Sequence, residues 1–221
     1  MLIRILEKEV MDSDLESSEY DGMDHSAVNQ QFAEDLLAVE PRLGDVLDLG
    51  TGTAQIPVAI CQREPDCRIM AADSSASMLD LARYNLELGG VVNRIQLTQV
   101  DAKKLPFSDA MFDTVISNSL LHHLPVPKLA LVEAMRVCKP GGRLFFRDLI
   151  RPETDELVQS LVATYAGDEN EYQQQMFDDS LRAALTVEEV RALIHEMGFD
   201  PETVQQSSDR HWTWTAKKPE E

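Results

Sequence analysis

A chain of 221 residues, 43% hydrophobic and 27% charged, can bury one substantial core but is short for two complete domains. With 39 acidic against 20 basic residues and a formal charge of −19, it has no unaided electrostatic grip on a nucleic-acid backbone, which excludes nucleic acid as a first reading of its partner. Its three cysteines, Cys61, Cys67 and Cys138, are odd in number and lack CxxC or Cys/His spacing, so the sequence predicts reduced thiols, no disulfide framework and no metal site.

The N-terminus, MLIRILEKEVMDSD, has no long apolar core behind its basic start, and no run of about 18 apolar residues occurs, so a cytoplasmic protein without membrane insertion is expected. Residues 9–24 hold seven acidic side chains and no basic one, the composition of a solvated, mobile segment. From Asp24 the pattern turns helical. Val28, Phe32, Leu36 and Val39 share one face, and Pro41 marks the end.

Five runs bounded by turn residues follow, DVLDL (45–49), RIMAA (68–72), RIQLTQV (94–100), DTVIS (113–117) and RLFFRDL (143–149), with helical patterns over 54–63, 75–88 and 127–138 between them. Apolar or β-branched runs alternating with helices predict an α/β fold, a doubly wound and mostly parallel sheet. The second of these helices stops at Gly89-Gly90, and Lys139-Pro140-Gly141-Gly142 reads as a tight turn into the fifth strand. Residues 153–182 read as helical, with Leu157, Leu161 and Tyr165 on one face, and Thr186 with Glu189 makes a capping box for one more helix. PETVQQSS and HWTWTAKK then read as a terminal hairpin, because Trp212 and Trp214 alternate with Thr213 and Thr215. The expected organisation is an acidic segment at 1–23, a candidate lid, and one domain over 24–221 with a helical insertion at about 152–183.

The stretch VLDLGTGTAQIPVAI, residues 46–60, breaks a strand at glycines and re-enters as a helix, the form of a nucleotide loop. A dinucleotide fingerprint needs GxGxxG and an acid about 20 residues later. Gly50, Gly52 and Asp73 fit it, whereas Gln55 stands at the third glycine. Asp73, at a strand end, suits the two hydroxyls of an adenosine ribose without choosing a cofactor. Asp48 would repel a pyrophosphate and attract an ammonium or sulfonium, unless it is only a solvated acid capping the loop.

With these residues the chain resembles the class I S-adenosylmethionine-dependent methyltransferases. The matching elements are DLGTGTA (48–54), AADSSASML (71–79), QVDAKKLPF (99–107), FDTVISNSLLHHL (112–124) and RVCKPGGRLFF (136–146). Order and spacing agree over roughly 25–150, nearest to the ubiquinone/menaquinone-type branch that acts on small molecules. The resemblance implies a seven-stranded sheet with an antiparallel C-terminal strand, S-adenosyl-L-methionine as cofactor and methyl transfer to a small-molecule acceptor. It departs at Ala54, where the family often has a third glycine, and a slightly tighter loop with retained binding is expected there.

Carried over by position, Asp48, Gly50, Thr51 and Gly52 surround the methionyl part of the cofactor. Asp73 holds the ribose, Ser74 and Met78 flank the adenosine, Met78 also lying on an apolar helix face, and Asp101 with Ala102 meets the adenine edge. Strand four ends in SNSLLHHL, which the resemblance places at the reacting methyl. Asn118 is the candidate to orient cofactor or acceptor, and His122 and His123 read either as bases or as packing and capping residues. Arg147 and Arg151 read either as receivers of an anionic acceptor or as surface pairs. Tyr20, His25 and Asn29 of the N-terminal region are acceptor-facing candidates.

Three other readings share these features. A nicotinamide-dependent oxidoreductase is opposed by Gln55, Asp48 and the hairpin. A non-catalytic, cofactor-binding regulator or partner subunit keeps the site without the chemistry. Aminopropyl transfer lacks an acidic pair after strand four. Neither the acceptor nor an oligomeric interface is legible.

Overall fold

The computed structural model describes residues 2–7, 10 and 12–220. The elements in chain order are α1 (Asp14–Gly22), α2 (Ser26–Val39), β1 (Asp45–Leu49), α3 (Gln55–Arg63), β2 (Arg68–Asp73), α4 (Ala76–Leu88), β3 (Ile95–Gln99), β4 (Phe112–Asn118), α5 (Pro127–Val137), β5 (Cys138–Leu149), α6 (Asp155–Tyr165), α7 (Glu171–Ala183), α8 (Val187–Glu196), β6 (Val204–Gln206) and β7 (His211–Lys217). The seven strands form one sheet in the order β3-β2-β1-β4-β5-β7-β6. The doubly wound, mostly parallel sheet with an antiparallel C-terminal pair, expected from the sequence, is the observed architecture. The chain divides into two compact units that share β5 along the sequence.

The larger unit holds Val10–Asn118, Leu129–Phe145 and Ala216–Glu221. In it β1 pairs in parallel with β2 on one side and β4 on the other, Leu49 lying opposite Ala72 and Ser117. The strand order reverses at β1 and β4. Such a reversal opens a crevice at the carboxyl ends of the strands, and the loops after Leu49 and Asp73 and the end of β4 at Asn118 emerge there. Behind it lies a core containing Phe32, Leu36, Val46, Ile60, Ile69, Ile116 and Phe145. Phe32 meets Phe145 edge to face, with ring centroids 5.1 Å apart.

The smaller unit holds Met1–Glu9, Ser119–Lys128 and Phe146–Thr215. Leu149, Val158, Leu181 and Ala184 form its buried cluster. Trp212 and Trp214 are fully buried on β7, which pairs antiparallel with β6. The Trp214 indole donates to the Thr203 hydroxyl, so its burial leaves that N–H satisfied.

Three details differ from the sequence reading. Part of the acidic segment is the helix α1, begun by a reciprocal capping box between Ser13 and Glu16. The expected helical stretch over 153–182 is two helices separated at residues 166–170. Residues 139–142 continue β5 instead of turning before it. Gly141, at φ +74°, donates to the Lys218 carbonyl and the Lys218 N–H donates to Gly142, so the C-terminal residues extend the ladder past the glycines.

Gly44, at φ +64°, leads into β1, and a Cβ there would lie 2.6 Å from Asp113 Oδ2. That carboxylate accepts from the Asp45 N–H and pairs with Lys139. Gly44→Ala is therefore expected to lower unfolding stability by roughly 2 kcal/mol in urea titration, from left-handed backbone strain and displacement of Asp113.

Candidate cofactor and active site

Everything expected to surround the cofactor lies in the larger unit. Gly50 and Thr51 both donate backbone N–H groups to the Ala72 carbonyl, which folds the loop back over the end of β2. Gly52, at φ +54°, donates to Asp73 Oδ2 at 2.8 Å, and Ser75 donates to Asp73 Oδ1 at 2.9 Å. Burial holds the Asp73 carboxyl above its usual range, and these N–H donors draw it partly back. One carboxylate thus fixes the glycine loop and the α4 N-terminus together, with lone pairs left for a diol.

Asp48, one position before the end of β1, is 3% exposed. Burial pushes its carboxyl up to about 7; the Thr51 hydroxyl lowers it and the negative Asp73 raises it. No positive charge is among these influences. A buried acid whose charged neighbour is another acid is built to receive a cation. The residues thus fit S-adenosyl-L-methionine, which carries an ammonium and a sulfonium as well as a ribose diol.

Ala54 occupies the left-handed region at φ 59°, ψ 25° and is fully buried. The sequence reading treated the missing glycine as a question of space. The structure makes it a question of backbone conformation, since alanine carries a Cβ penalty that glycine avoids.

Among the other candidates in this unit, Met78 is buried on α4, and its N–H is capped by the Ser75 hydroxyl. Ser74 is exposed, and Asp101 closes a local turn by accepting from the Lys103 N–H, with Ala102 half-buried beside it. Asn118 ends β4, just after Ser117, whose hydroxyl ties that strand to the Leu49 carbonyl. Tyr20 on α1 lies over the glycine loop; a Cβ on Gly52 would be 3.9 Å from its ring. His25 stacks on Tyr20 with centroids 4.9 Å apart.

A polar clamp holds α1 in place. Gln55 donates to Asp21 at 2.9 Å and accepts from Asn29 at 3.0 Å, and Asn85 donates to Asp21 and to the Thr53 carbonyl. Asp12 accepts from the Ser75 hydroxyl and the Ala76 N–H at the start of α4. Asp12, Asp21 and Asn85 were not singled out from the sequence. Asp12 and Asp21 are lost among the other acids of residues 9–24, and Asn85 is one polar residue inside α4, so type and spacing mark none of them.

The smaller unit contains the other candidates. His122 is 3% exposed in a 3-10 turn at Leu121–His123. Its Nδ1 is 2.5 Å from Asp148 Oδ1, and its Nε2 is 3.4 Å from Glu7 Oε1. Burial works against the imidazolium, but Asp148 and Glu7 outweigh it and raise the histidine above its usual value. Asp148 also accepts N–H groups from Leu121, His122 and Leu149. Arg147 is buried and donates to the Thr213 hydroxyl.

Arg151 directs its guanidinium to the Leu2 carbonyl at 3.0 Å, the Ala184 carbonyl at 2.8 Å and Glu189 Oε1 at 2.7 Å. Each of its three nitrogens is thereby engaged within the fold. Arg151→Met is expected to lower unfolding stability by about 2–4 kcal/mol, because buried carbonyls lose their donor. Acceptor affinity should be unchanged, and steady-state KM checks this.

The profile of the methyltransferase domain family matches residues 47–146. The chain is 30% identical over 168 residues to the ubiquinone/menaquinone biosynthesis C-methyltransferase UbiE of Pseudomonas fluorescens, covering 70% of this chain and 64% of that protein. It thus spans a little under two-thirds of that relative's length. Among solved structures, the S-adenosylmethionine-dependent methyltransferase of Aquifex aeolicus superposes with a TM-score of 0.68 at 19% identity, covering 93% of this chain and 98% of that one. A Methanococcus maripaludis protein superposes with a TM-score of 0.74 at 20% identity over 98% of each chain, which shows the same fold. With motif order and sheet topology in agreement, the chain is similar in fold to the class I S-adenosylmethionine-dependent methyltransferases and in sequence to the ubiquinone/menaquinone-type proteins among them.

Proposed function

We propose that this chain transfers the methyl group of S-adenosyl-L-methionine to a small-molecule acceptor, releasing S-adenosylhomocysteine. The observation that carries the reading is Asp48, a buried carboxyl pushed up to about 7 with no cation among the groups that perturb it, beside a loop pinned by Asp73. Because the similar Pseudomonas fluorescens protein is named a C-methyltransferase, carbon is the first acceptor atom to try here.

The cofactor supplies an activated methyl on a sulfonium, so the protein has to align the acceptor and exclude water. Asp48 holds the ammonium, Asp73 accepts from the ribose hydroxyls, Ser74 and Met78 flank the adenosine, and Asp101 and Ala102 meet the adenine edge. Asn118 orients the reacting partners from the end of β4. The α1 helix acts as the lid, Tyr20 covering the glycine loop and the Asp21–Gln55 clamp holding it closed. His25 and Asn29 stand beside this cover as acceptor-facing residues. The three unbridged, buried cysteines suit a reducing, cytoplasmic setting.

The test is a radiometric screen with methyl-labelled cofactor and a panel of phenolic, quinol, amine and carboxylate acceptors. Label transfer with stoichiometric S-adenosylhomocysteine release supports the reading. Tight cofactor binding with no transfer to any acceptor, while a control methyltransferase turns over in the same assay, would count against it.

A further inference from the structure

The geometry points to a divalent transition-metal site of the zinc class, made by Glu7, His122 and His123 in the smaller unit. One ligand atom from each residue lies within 4.8 Å of the others. Glu7 Oε1 is 3.2 Å from His123 Nδ1 and 3.4 Å from His122 Nε2. Ligand atoms on a tetrahedral zinc, at about 2.0–2.1 Å from the metal, are separated from one another by about 3.3 Å. Both contacts match that edge length. Glu7 Oε1 has no hydrogen-bond partner among the described residues, so these short approaches lack the alignment of ordinary hydrogen bonds.

The surrounding groups are those a metal site requires. His122 Nδ1 is held by Asp148 Oδ1 at 2.5 Å, which fixes the tautomer that leaves the Nε2 lone pair facing Glu7. Asp148 is itself oriented by the Leu121, His122 and Leu149 N–H groups. Ser180 lies against the other Glu7 oxygen at 3.4 Å. The nearby Arg4 turns its guanidinium to the carbonyls of Ala183, His122 and Leu124, and Glu189 and Asp148 act on it as counter-charges. Two neutral imidazoles with the Glu7 and Asp148 carboxylates balance a dication.

Two histidines and one carboxylate occupy three positions of a tetrahedron and leave the fourth for water or for an oxygen of a small molecule, such as a hydroxyl or carbonyl. The sequence hid this site because its carboxylate lies over a hundred residues before the histidines. It stands independently of the methyl-transfer reading.

The full chain, stripped with a chelator, would be titrated with zinc by calorimetry and with cobalt by absorption. The expected result is one ion per chain with sub-micromolar affinity and the cobalt d–d bands of a four-coordinate nitrogen/oxygen site, without thiolate charge transfer. Glu7→Gln and His123→Asn should each weaken binding by about a hundredfold, and Asp148→Asn by about 10–100-fold, the effect of losing a group that orients a ligand. Because Glu7 sits in the N-terminal segment, Glu7→Gln is expected to keep the native circular dichroism and S-adenosylhomocysteine affinity. The proposal is overturned by absence of saturable zinc binding, by wild-type affinity in Glu7→Gln, or by loss of binding in Cys61→Ser, which would place the ion on the neighbouring Cys61 and Cys67 thiols.

Discussion

Asp48→Asn is expected to weaken binding of S-adenosylmethionine and S-adenosylhomocysteine by about a hundredfold, the loss of one partner of a buried charge pair. The same substitution should stabilise the cofactor-free protein above neutral pH. The folded-state carboxyl lies at about 7, above the usual aspartate value, so the native chain retains a proton that the unfolded chain has released. The stability contributed by that proton is full below about pH 4 and is lost as pH rises through about 7, by up to about 4 kcal/mol. Asparagine has no charge to bury and escapes the loss. Cofactor affinity runs the opposite way, because an ammonium binds the ionised carboxylate: it should rise about tenfold between pH 6 and 8 and then level off. Calorimetry across that range measures the affinity, and thermal melts of both proteins measure the stability. A pH-independent affinity in the parent protein would show that Asp48 does not meet the cofactor's charge.

Asp148→Ala carries the largest expected loss of stability, about 3–5 kcal/mol, or roughly a 10 °C fall in melting temperature for a chain of this size. It removes the counter-charge of the buried His122 and strands the N–H groups of Leu121, His122 and Leu149. Asp148→Asn retains a carbonyl acceptor for some of these donors and should lose less. Urea unfolding of chelator-treated protein tests this, and a loss below about 1 kcal/mol for the alanine variant would show that the donors find other partners.

The sheet was legible because its signals are local. DVLDL and DTVIS are short apolar runs between turn residues, and they became β1 and the centre of β4. Trp212 and Trp214 alternate with threonines, and that period produced β7. The start of β5 was misread because glycines ordinarily end strands, whereas here Gly141 and Gly142 are held in the ladder by Lys218, 77 residues after Gly141. The α1 helix was hidden by its charge, although the Ser13–Glu16 capping box is present in the sequence.

In the site, the loop residues and Asp73 were readable from type and spacing. The arrangement around them was not. Asp21, Gln55, Asn29 and Asn85 are ordinary polar residues on four separate helices, and only the fold brings them together into one clamp. At Ala54 the residue itself gave no sign of a left-handed backbone; the only pointer was the glycine that the family often has at this position. His122 and Arg151 were visible as chemistry, but their partners Glu7, Asp148 and Leu2 come from distant segments, and those partners decide what each side chain can do.

In the function proposed above, the loop from Asp48 to Gly52 with Asp73 binds the methyl donor. Its most direct test is calorimetric titration of the full chain with S-adenosylhomocysteine at pH 8, alongside Asp73→Ala. One site per chain with micromolar or tighter affinity is expected in the parent protein, with a loss of at least about a hundredfold in the variant, which removes both the ribose acceptor and the anchor of Gly52. Absence of binding in the parent protein, or undiminished binding in Asp73→Ala, would contradict it.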